Sequence, residues 1–309
     1  MIPAAAPVGR FAPTPSGRMH LGNVFAAMLA WLSVRSRGGH LVLRMEDLDT
    51  QRTSEEFAQV LREDLLWLGL DWDGETPPQS KRTGVYIRYF EKLAELGLLY
   101  PCYCTRSQLH SVNAPHLADG TYVYPGTCRN LTEDQCRAMG KAPAWRVKVP
   151  DRQWQVTDLV QGEYRENLAF DCGDFVVRRA DGVFVYQLAV TVDDGEAGVT
   201  EVVRGTDLLS SAPRQMYLQE LFGFSHPAYA HVPLLLAPDG RRLSKRDKDL
   251  DLGALRQRLR PEKLLGILGC TAGLLEKPEP ISAGELASVF SWEKVGRQSV
   301  CLAGEDLLF

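Results

Sequence analysis

Three features of the chain predict an α/β protein built on a doubly wound parallel sheet. Over the first hundred residues, short apolar runs alternate with helical runs in the order strand, helix, strand, helix. That order places parallel strands side by side with helices on both faces, and ligands at the C-terminal strand ends. The same alternation resumes after about residue 190, and residues 101–190 between them hold clustered cysteines, broken strand patterns and turns. This middle region reads as an insertion between the two halves of one sheet, and 309 residues leave room for it.

The elements follow in order. A short apolar strand over 8–12 runs into a Pro/Ser/Gly turn, and a helix opens at Leu21. The helix is apolar on most faces to about residue 37 and stops at Gly38-Gly39, a C-terminal signal. Residues 40–45 read as a buried parallel strand ending in Glu46-Asp47-Leu48-Asp49. Thr53-Ser-Glu-Glu56 reads as a capping box for a helix reaching Leu68. Residues 70–72 are expected as a short strand and 83–97 as an amphipathic helix. Pro101 opens the insertion, within which Asp181-Gly182, between apolar runs 175–177 and 183–186, predicts a hairpin. Beyond it come a strand over 199–204, a helix over 213–222 led by Ser210 or Ser211, and a strand over 231–236. Pro238-Asp-Gly240 then turns into a basic stretch, and residues 247–309 read as short helices punctuated by Pro261, Pro278 and Pro280. The expected divisions are 1–100, 101–190, 191–246 and 247–309.

Composition narrows the function. Hydrophobic content of 45% and charged content of 24% are ordinary for a soluble globular chain. A net charge of −4 argues against non-specific wrapping of nucleic acid, although a local basic groove would suffice for a folded nucleic-acid partner. The longest clean apolar run, 24–32, is too short to span a bilayer, and residues 1–9 lack the pattern of a secretory signal. Seven cysteines without framework spacing fit a reducing compartment. The expectation is a cytoplasmic monomer with no membrane contact.

Two stretches and one cysteine group carry candidate chemistry. Strand, turn and helix N-terminus over 8–23 form a geometry that binds phosphate, because the first helical N–H groups lack intrahelical partners and the helix dipole is positive there. Gly17 and Gly22 would let a ligand approach the backbone, His20 and Asn23 add donors, and Arg10 adds a charge. A bland strand–loop–helix corner is the alternative. The basic loop Arg242-Leu-Ser244-Lys245-Arg246 is by itself equally readable as a solvated surface. Cys102, Cys104 and Cys128 offer three closely spaced thiolates, which suit tetrahedral Zn²⁺. The alternative is reduced cysteines packed as small hydrophobes. Tyr122, His110, His116 and Cys136 are rivals for a fourth ligand.

Arg10-Phe-Ala-Pro-Thr-Pro-Ser-Gly-Arg-Met-His20-Leu-Gly22-Asn23 resembles the HIGH region of class I aminoacyl-tRNA synthetases, in the form used by the glutamyl branch. Asn23 stands at the second histidine of that motif. Arg242-Leu-Ser-Lys245-Arg246 resembles the KMSKS motif, with Arg242 replacing its first lysine. Tyr186-Gln-Leu-Ala-Val-x-Val-Asp-Asp194 and Val203-Arg-Gly-x-Asp207 are also similar to glutamyl enzymes. Covering residues from about 8 to 250, the resemblance implies a Rossmann-type catalytic domain with an inserted α+β zinc-bearing subdomain and a short helical C-terminal part.

The activity that this resemblance implies is activation of L-glutamate by ATP and Mg²⁺, an in-line attack on the α-phosphate that needs positioning and charge stabilisation more than a protein nucleophile. It assigns His20, Asn23 and Lys245 to catalysis. Gly17, His20, Gly22, Asn23, Arg242, Ser244, Lys245 and Arg246 are assigned to ATP. To glutamate it assigns Arg10, Phe11, Ala12, Pro13, Thr14, Glu46, Tyr186 and Arg204. A substrate with two carboxylates and one ammonium calls for two cations, Arg10 and Arg204, and one anion, Glu46. It nominates Tyr124 as fourth ligand of one structural zinc. The short stretch after Arg246 implies the reduced members of the branch, which activate glutamate without tRNA and esterify it to queuosine at the wobble position of tRNA(Asp). Two alternatives stand beside this: a minimal glutamyl-tRNA synthetase charging tRNA(Glu), and a catalytically silent tRNA-binding paralogue, against which His20 and Lys245 count.

Overall fold

The computed structural model describes residues 6–105, 108, 123–241, 243 and 251–302. Strand β1 (Val8–Phe11) leads through the turn into helix α1 (Leu21–Arg35), followed by β2 (His40–Arg44), α2 (Glu55–Trp67) and β3 (Gly74–Thr76). Helix α1 buries Leu21, Val24, Phe25, Met28, Leu29 and Leu32 along its length, as expected of a helix that is hydrophobic almost all round. It ends where the sequence predicts. Gly38 takes φ +63°, and the Gly39 N–H closes on the Val34 carbonyl at 2.8 Å.

Helix α3 (Thr83–Glu95) and strand β4 (Leu99–Cys102) lead into the middle region. There lie α4 (Glu133–Ala138), β5 (Ala144–Val147), β6 (Gln153–Asp158), β7 (Gly162–Asn167), α5 (Leu168–Asp171) and β8 (Phe175–Arg178). The alternation resumes with α6 (Tyr186–Glu196), β9 (Glu201–Gly205), α7 (Ser211–Phe222), β10 (Ala228–Val232) and β11 (Leu235–Leu236). The last described elements are α8 (Leu252–Arg256), α9 (Pro261–Thr271), α10 (Ala283–Ser288) and β12 (Val300–Cys301).

The main sheet runs β3-β2-β1-β9-β10-β6-β7, parallel throughout except for the β6–β7 hairpin. This is the predicted doubly wound α/β class. From β1 the chain crosses to β2 on one side, while β9 pairs on the other. The strand order therefore reverses between β1 and β9, and the crevice beyond their C-terminal ends is where such sheets bind ligands. A separate antiparallel sheet, β4-β5-β8, lies in the middle region. The hairpin β6–β7, also within 101–190, instead extends the edge of the main sheet through β10. The C-terminal helices share the core of α1 and α2, burying Leu264, Leu268 and Leu286 there. No described helix is long and apolar enough to cross a membrane.

Several local expectations change. The N-cap of α2 is Ser54, whose Oγ accepts from Phe57 N–H at 3.2 Å; Thr53 is occupied with the Asp49 carbonyl. The strand expected at 70–72 is delayed to β3, because the Asp73 carboxylate takes the Leu41 N–H at 2.7 Å and holds the chain off the ladder. The turn at Asp181-Gly182 forms, with Arg179 N–H on the Val183 carbonyl, yet only Phe184 bridges back to Arg178. Tyr186 opens α6 instead of ending a strand, since Leu188, Ala189 and Val192 bury into the core shared with α7 at helical spacing. The strand expected over 231–236 starts earlier, breaks at Pro233, and resumes as β11 to pair with the unanticipated β12.

Candidate active site

A cleft of about 640 Å³ opens at the switch point. Arg10, Phe11, Ala12, Pro13 and Thr14 line it from the end of β1, Glu46 from the end of β2, Arg204 from β9 and Tyr186 from the start of α6. Gly17, His20, Gly22 and Asn23 line it from the turn and first residues of α1. The residues that sequence reasoning assigned separately to glutamate and to ATP thus share one cavity wherever they fall among the described residues. Arg242, Ser244, Lys245 and Arg246 lie outside them. Leu243, within the same loop, is buried and lines the cleft.

The side assigned from the sequence to phosphate is built by the turn. Gly17 takes φ +143°, a conformation costly for any residue with a Cβ. A Cβ on Gly22 would stand 3.1 Å from the His20 ring, so the glycine makes room for that ring against the helix start. His20 is the N-cap of α1 through its backbone only, with no side-chain cap bond and no acid in the first turn. The helix N-terminus therefore keeps its positive end uncompensated within its own first turn. The chain that follows the basic loop returns here: His20 forms a backbone bridge with Asp251, and Leu252 N–H donates to the Met19 carbonyl at 3.0 Å.

The opposite side is a buried charge cluster. Arg10 donates through Nη1 to the Val203 carbonyl at 2.9 Å, with Nε 3.5 Å from Asp194 Oδ1. Arg44, only 1% exposed, places Nη1 2.6 Å from Asp194, Nη2 3.2 Å from Glu46 and Nε 3.7 Å from Asp193. Burial alone would push the Asp194 carboxyl up, but Arg44 and Arg10 hold it below the usual range. For Glu46 burial prevails over the same two arginines and raises it; a cation entering the cleft beside it would favour its ionised form. Burial also raises Tyr186, so its phenol stays protonated, 3.4 Å from Arg204 Nη1. Sequence reasoning missed Arg44 and gave Asp194 no role. The signal for Arg44 was a charge ending an otherwise apolar strand, Leu41-Val-Leu-Arg44.

The cysteine group converges in the middle region. The sulfurs of Cys102, Cys104 and Cys128 lie within 4.8 Å of one another. Tyr124 Oη is 3.5 Å from Cys102 Sγ and 3.8 Å from Cys104 Sγ. Arg146 donates from Nε to Cys102 Sγ at 3.2 Å and stacks its guanidinium 3.6 Å from the Tyr124 ring centre. Burial opposes ionisation of Cys102, yet hydrogen bonds from Tyr124 and the Cys104 backbone, with Arg146 beside them, lower it below the usual thiol range. Three soft sulfurs and a phenolic oxygen form a donor set that can hold a metal ion. Of the rivals, Cys136 is outside this group and hydrogen-bonds Tyr103; His110, His116 and Tyr122 lie outside the described residues.

Comparison with known proteins agrees with this geometry. Residues 8–262 match the family model of the catalytic domain of class I tRNA synthetases (E and Q). The chain is 46% identical to a glutamyl-Q tRNA(Asp) synthetase of Symbiobacterium thermophilum, covering 97% of each chain. It is 48% identical over 280 residues to the enzyme of the same name from Nitratidesulfovibrio vulgaris, covering 86% of each. Among solved structures, glutamate-tRNA synthetase from Elizabethkingia anophelis superposes with a TM-score of 0.83 at 27% identity, over 97% of this chain and 69% of that one. A doubly wound sheet with its cleft at the strand-order reversal, and a family match that spans both halves of that sheet, carry one conclusion: the chain belongs to the class I tRNA synthetases of the glutamate and glutamine branch.

Proposed function

We propose that this protein activates L-glutamate with ATP and Mg²⁺, without requiring tRNA, and transfers it to queuosine at the wobble position of tRNA(Asp). The observation that carries the amino-acid assignment is the cleft's charge pattern. Arg10 and Arg204 offer two cations to the carboxylates, Tyr186 stands beside Arg204, and Glu46 faces the ammonium. In the first step a glutamate carboxylate oxygen attacks the α-phosphate and pyrophosphate leaves. Phe11, Ala12, Pro13 and Thr14 shape the glutamate end; Gly17, Gly22, Asn23, His20 and the start of α1 hold the α-phosphate that remains with the nucleotide. Arg242, Ser244, Lys245 and Arg246 hold the leaving group. In the second step a hydroxyl of the queuosine cyclopentenediol attacks the activated carbonyl and AMP leaves.

The names of the two relatives support the acceptor assignment. Labelled glutamate is expected to enter tRNA(Asp) only when queuosine is present, and to remain after a nuclease removes the 3′-terminal adenosine. Label that departs with that adenosine, or better labelling of tRNA(Glu), would overturn the assignment and make the protein a minimal glutamyl-tRNA synthetase.

The same reading places one structural Zn²⁺ between Cys102, Cys104, Cys128 and Tyr124. Its chemistry there would be to cross-link β4 to the segment carrying Tyr124 and Cys128, while Arg146 donates a hydrogen bond to the Cys102 sulfur. Freshly prepared protein is expected to carry about one zinc per chain, lost in a Cys102→Ser/Cys128→Ser variant. Elemental analysis that finds no zinc would return these residues to plain packing. The reading further takes residues 101–190 as the inserted subdomain, 1–100 and 191–246 as the catalytic halves, and 247–309 as a helical appendage. The chain is also read as a monomer working in the cytoplasm.

A further inference from the structure

The hydrogen bonds around Arg204 have a direction set by a carboxylate on another strand. Arg204 and His231 are register partners on β9 and β10, and Tyr229, two residues before His231, is the register partner of Asp158 on β6. Three strands thereby bring Asp158, His231 and Arg204, all 5% exposed or less, into one line. His231 Nδ1 lies 2.6 Å from Asp158 Oδ2, and Arg204 donates from Nε to His231 Nε2 at 3.0 Å. A neutral imidazole has one donor and one acceptor nitrogen. With Asp158 taking the Nδ1 proton, the only acceptor left faces Arg204.

The rest of the guanidinium is also assigned, except at one corner. Nη1 donates to Gln215 Oε1 at 2.8 Å, with the Tyr186 hydroxyl at 3.4 Å. Nη2 is buried and has no hydrogen-bond partner among the described residues. No described carboxylate forms an ion pair with Arg204, whereas Arg10 has Asp194 at 3.5 Å. A neutral partner at position 231 orients Arg204 without cancelling its charge. A buried donor without a partner is costly, and a ligand carboxylate at Nη2 would satisfy it.

We infer that Asp158 and His231 are positioning residues for substrate selection: Asp158 fixes the Nδ1–H form of His231, and that ring holds Arg204 without an ion-pair partner among the described residues and with Nη2 free toward the side-chain carboxylate of the amino acid. This rests on the glutamate reading proposed above. Arg204 itself presents only N–H donors, and the one imidazole acceptor beside it is already used. At Nη2 a carboxylate oxygen is therefore favoured over the NH₂ of a glutamine side-chain amide, which would set donor against donor. Burial and the Arg204 charge push His231 below its usual range, against the pull of Asp158, so the ring stays neutral. Burial would raise Asp158, yet His231 and backbone N–H groups lower it. These protonation states match the geometry.

The test combines kinetics with imidazole nitrogen NMR on the full chain. In the unaltered protein the His231 ring, identified by its loss in His231→Phe, is expected to carry its proton on Nδ1. In Asp158→Asn the amide NH₂ can turn to Nδ1 and move the proton to Nε2, where it opposes the Arg204 N–H. Glutamate KM in ATP–pyrophosphate exchange is then expected to rise about 10–100-fold, the scale of losing a hydrogen bond to a charged group. The ATP KM and the kcat at saturating glutamate stay within about twofold, and preference over glutamine falls. His231→Phe, which keeps a ring against Tyr229, should do the same. An Nε2–H ring in the unaltered protein overturns the inference whether or not the variants fold. So does an unchanged glutamate KM in both variants when Arg204→Ala raises it, an outcome that leaves the glutamate reading standing. If Arg204→Ala itself leaves glutamate KM unchanged, the glutamate reading falls and the inference with it.

Discussion

An Arg44→Met variant is expected to lose about 3–5 kcal/mol of folding stability, the usual consequence of removing one partner from a buried charge cluster. Arg44 faces Asp194, Glu46 and Asp193 at 2.6, 3.2 and 3.7 Å. Asp193 keeps Arg82, Gln79 and Tyr86 after the substitution. Asp194 keeps only the more distant Arg10 among the described ion pairs, and Glu46 loses its one described ion-pair partner, so the uncompensated charge falls on these two. Arg44→Lys should restore little, because an ammonium cannot span acceptors that a planar guanidinium reaches together. Urea unfolding monitored by circular dichroism measures this; a loss under 1 kcal/mol would mean that the cluster is not held by Arg44.

Lys245→Ala is expected to lower glutamate-dependent ATP–pyrophosphate exchange about 10²–10³-fold with the unfolding midpoint unchanged, as for the loss of one electrostatic contact to a developing charge. Lys245 follows Leu243, which lines the cleft, and precedes Asp251, whose backbone bridges His20. The described residues on both sides of this stretch thus meet the walls of the cavity proposed to hold the phosphates. Lys245→Arg is expected to remain poor, since a broad planar group does not reproduce a point contact. Exchange at the rate of the unaltered protein would remove Lys245 from the phosphate site.

The sequence alone determined those features whose cause is local. Helix α1 and its end follow from a continuous apolar run stopped by Gly38-Gly39, and the turn before it follows from Pro, Ser and Gly between a strand and a helix. The two synthetase-like motifs are readable because each is a short contiguous string. The doubly wound class followed from the order of apolar runs. The cap of α2 was misplaced by one residue because Thr53 and Ser54 are chemically alike and only the backbone conformation at Ser54 chooses between them.

What the tertiary structure decided involves partners far apart along the chain. Arg44 meets Asp194 across 150 residues and Asp158 meets His231 across 73. Tyr186 begins a helix because its followers bury against α7, a competition that the local pattern 183–186 does not contain. Register places Arg204 beside His231, and a slip of one residue would turn each side chain to the other face of the sheet. Residue types announced which charges were present; strand pairing in a low-dielectric interior decided which were neutralised and which, like Arg204, retained a charge for a ligand.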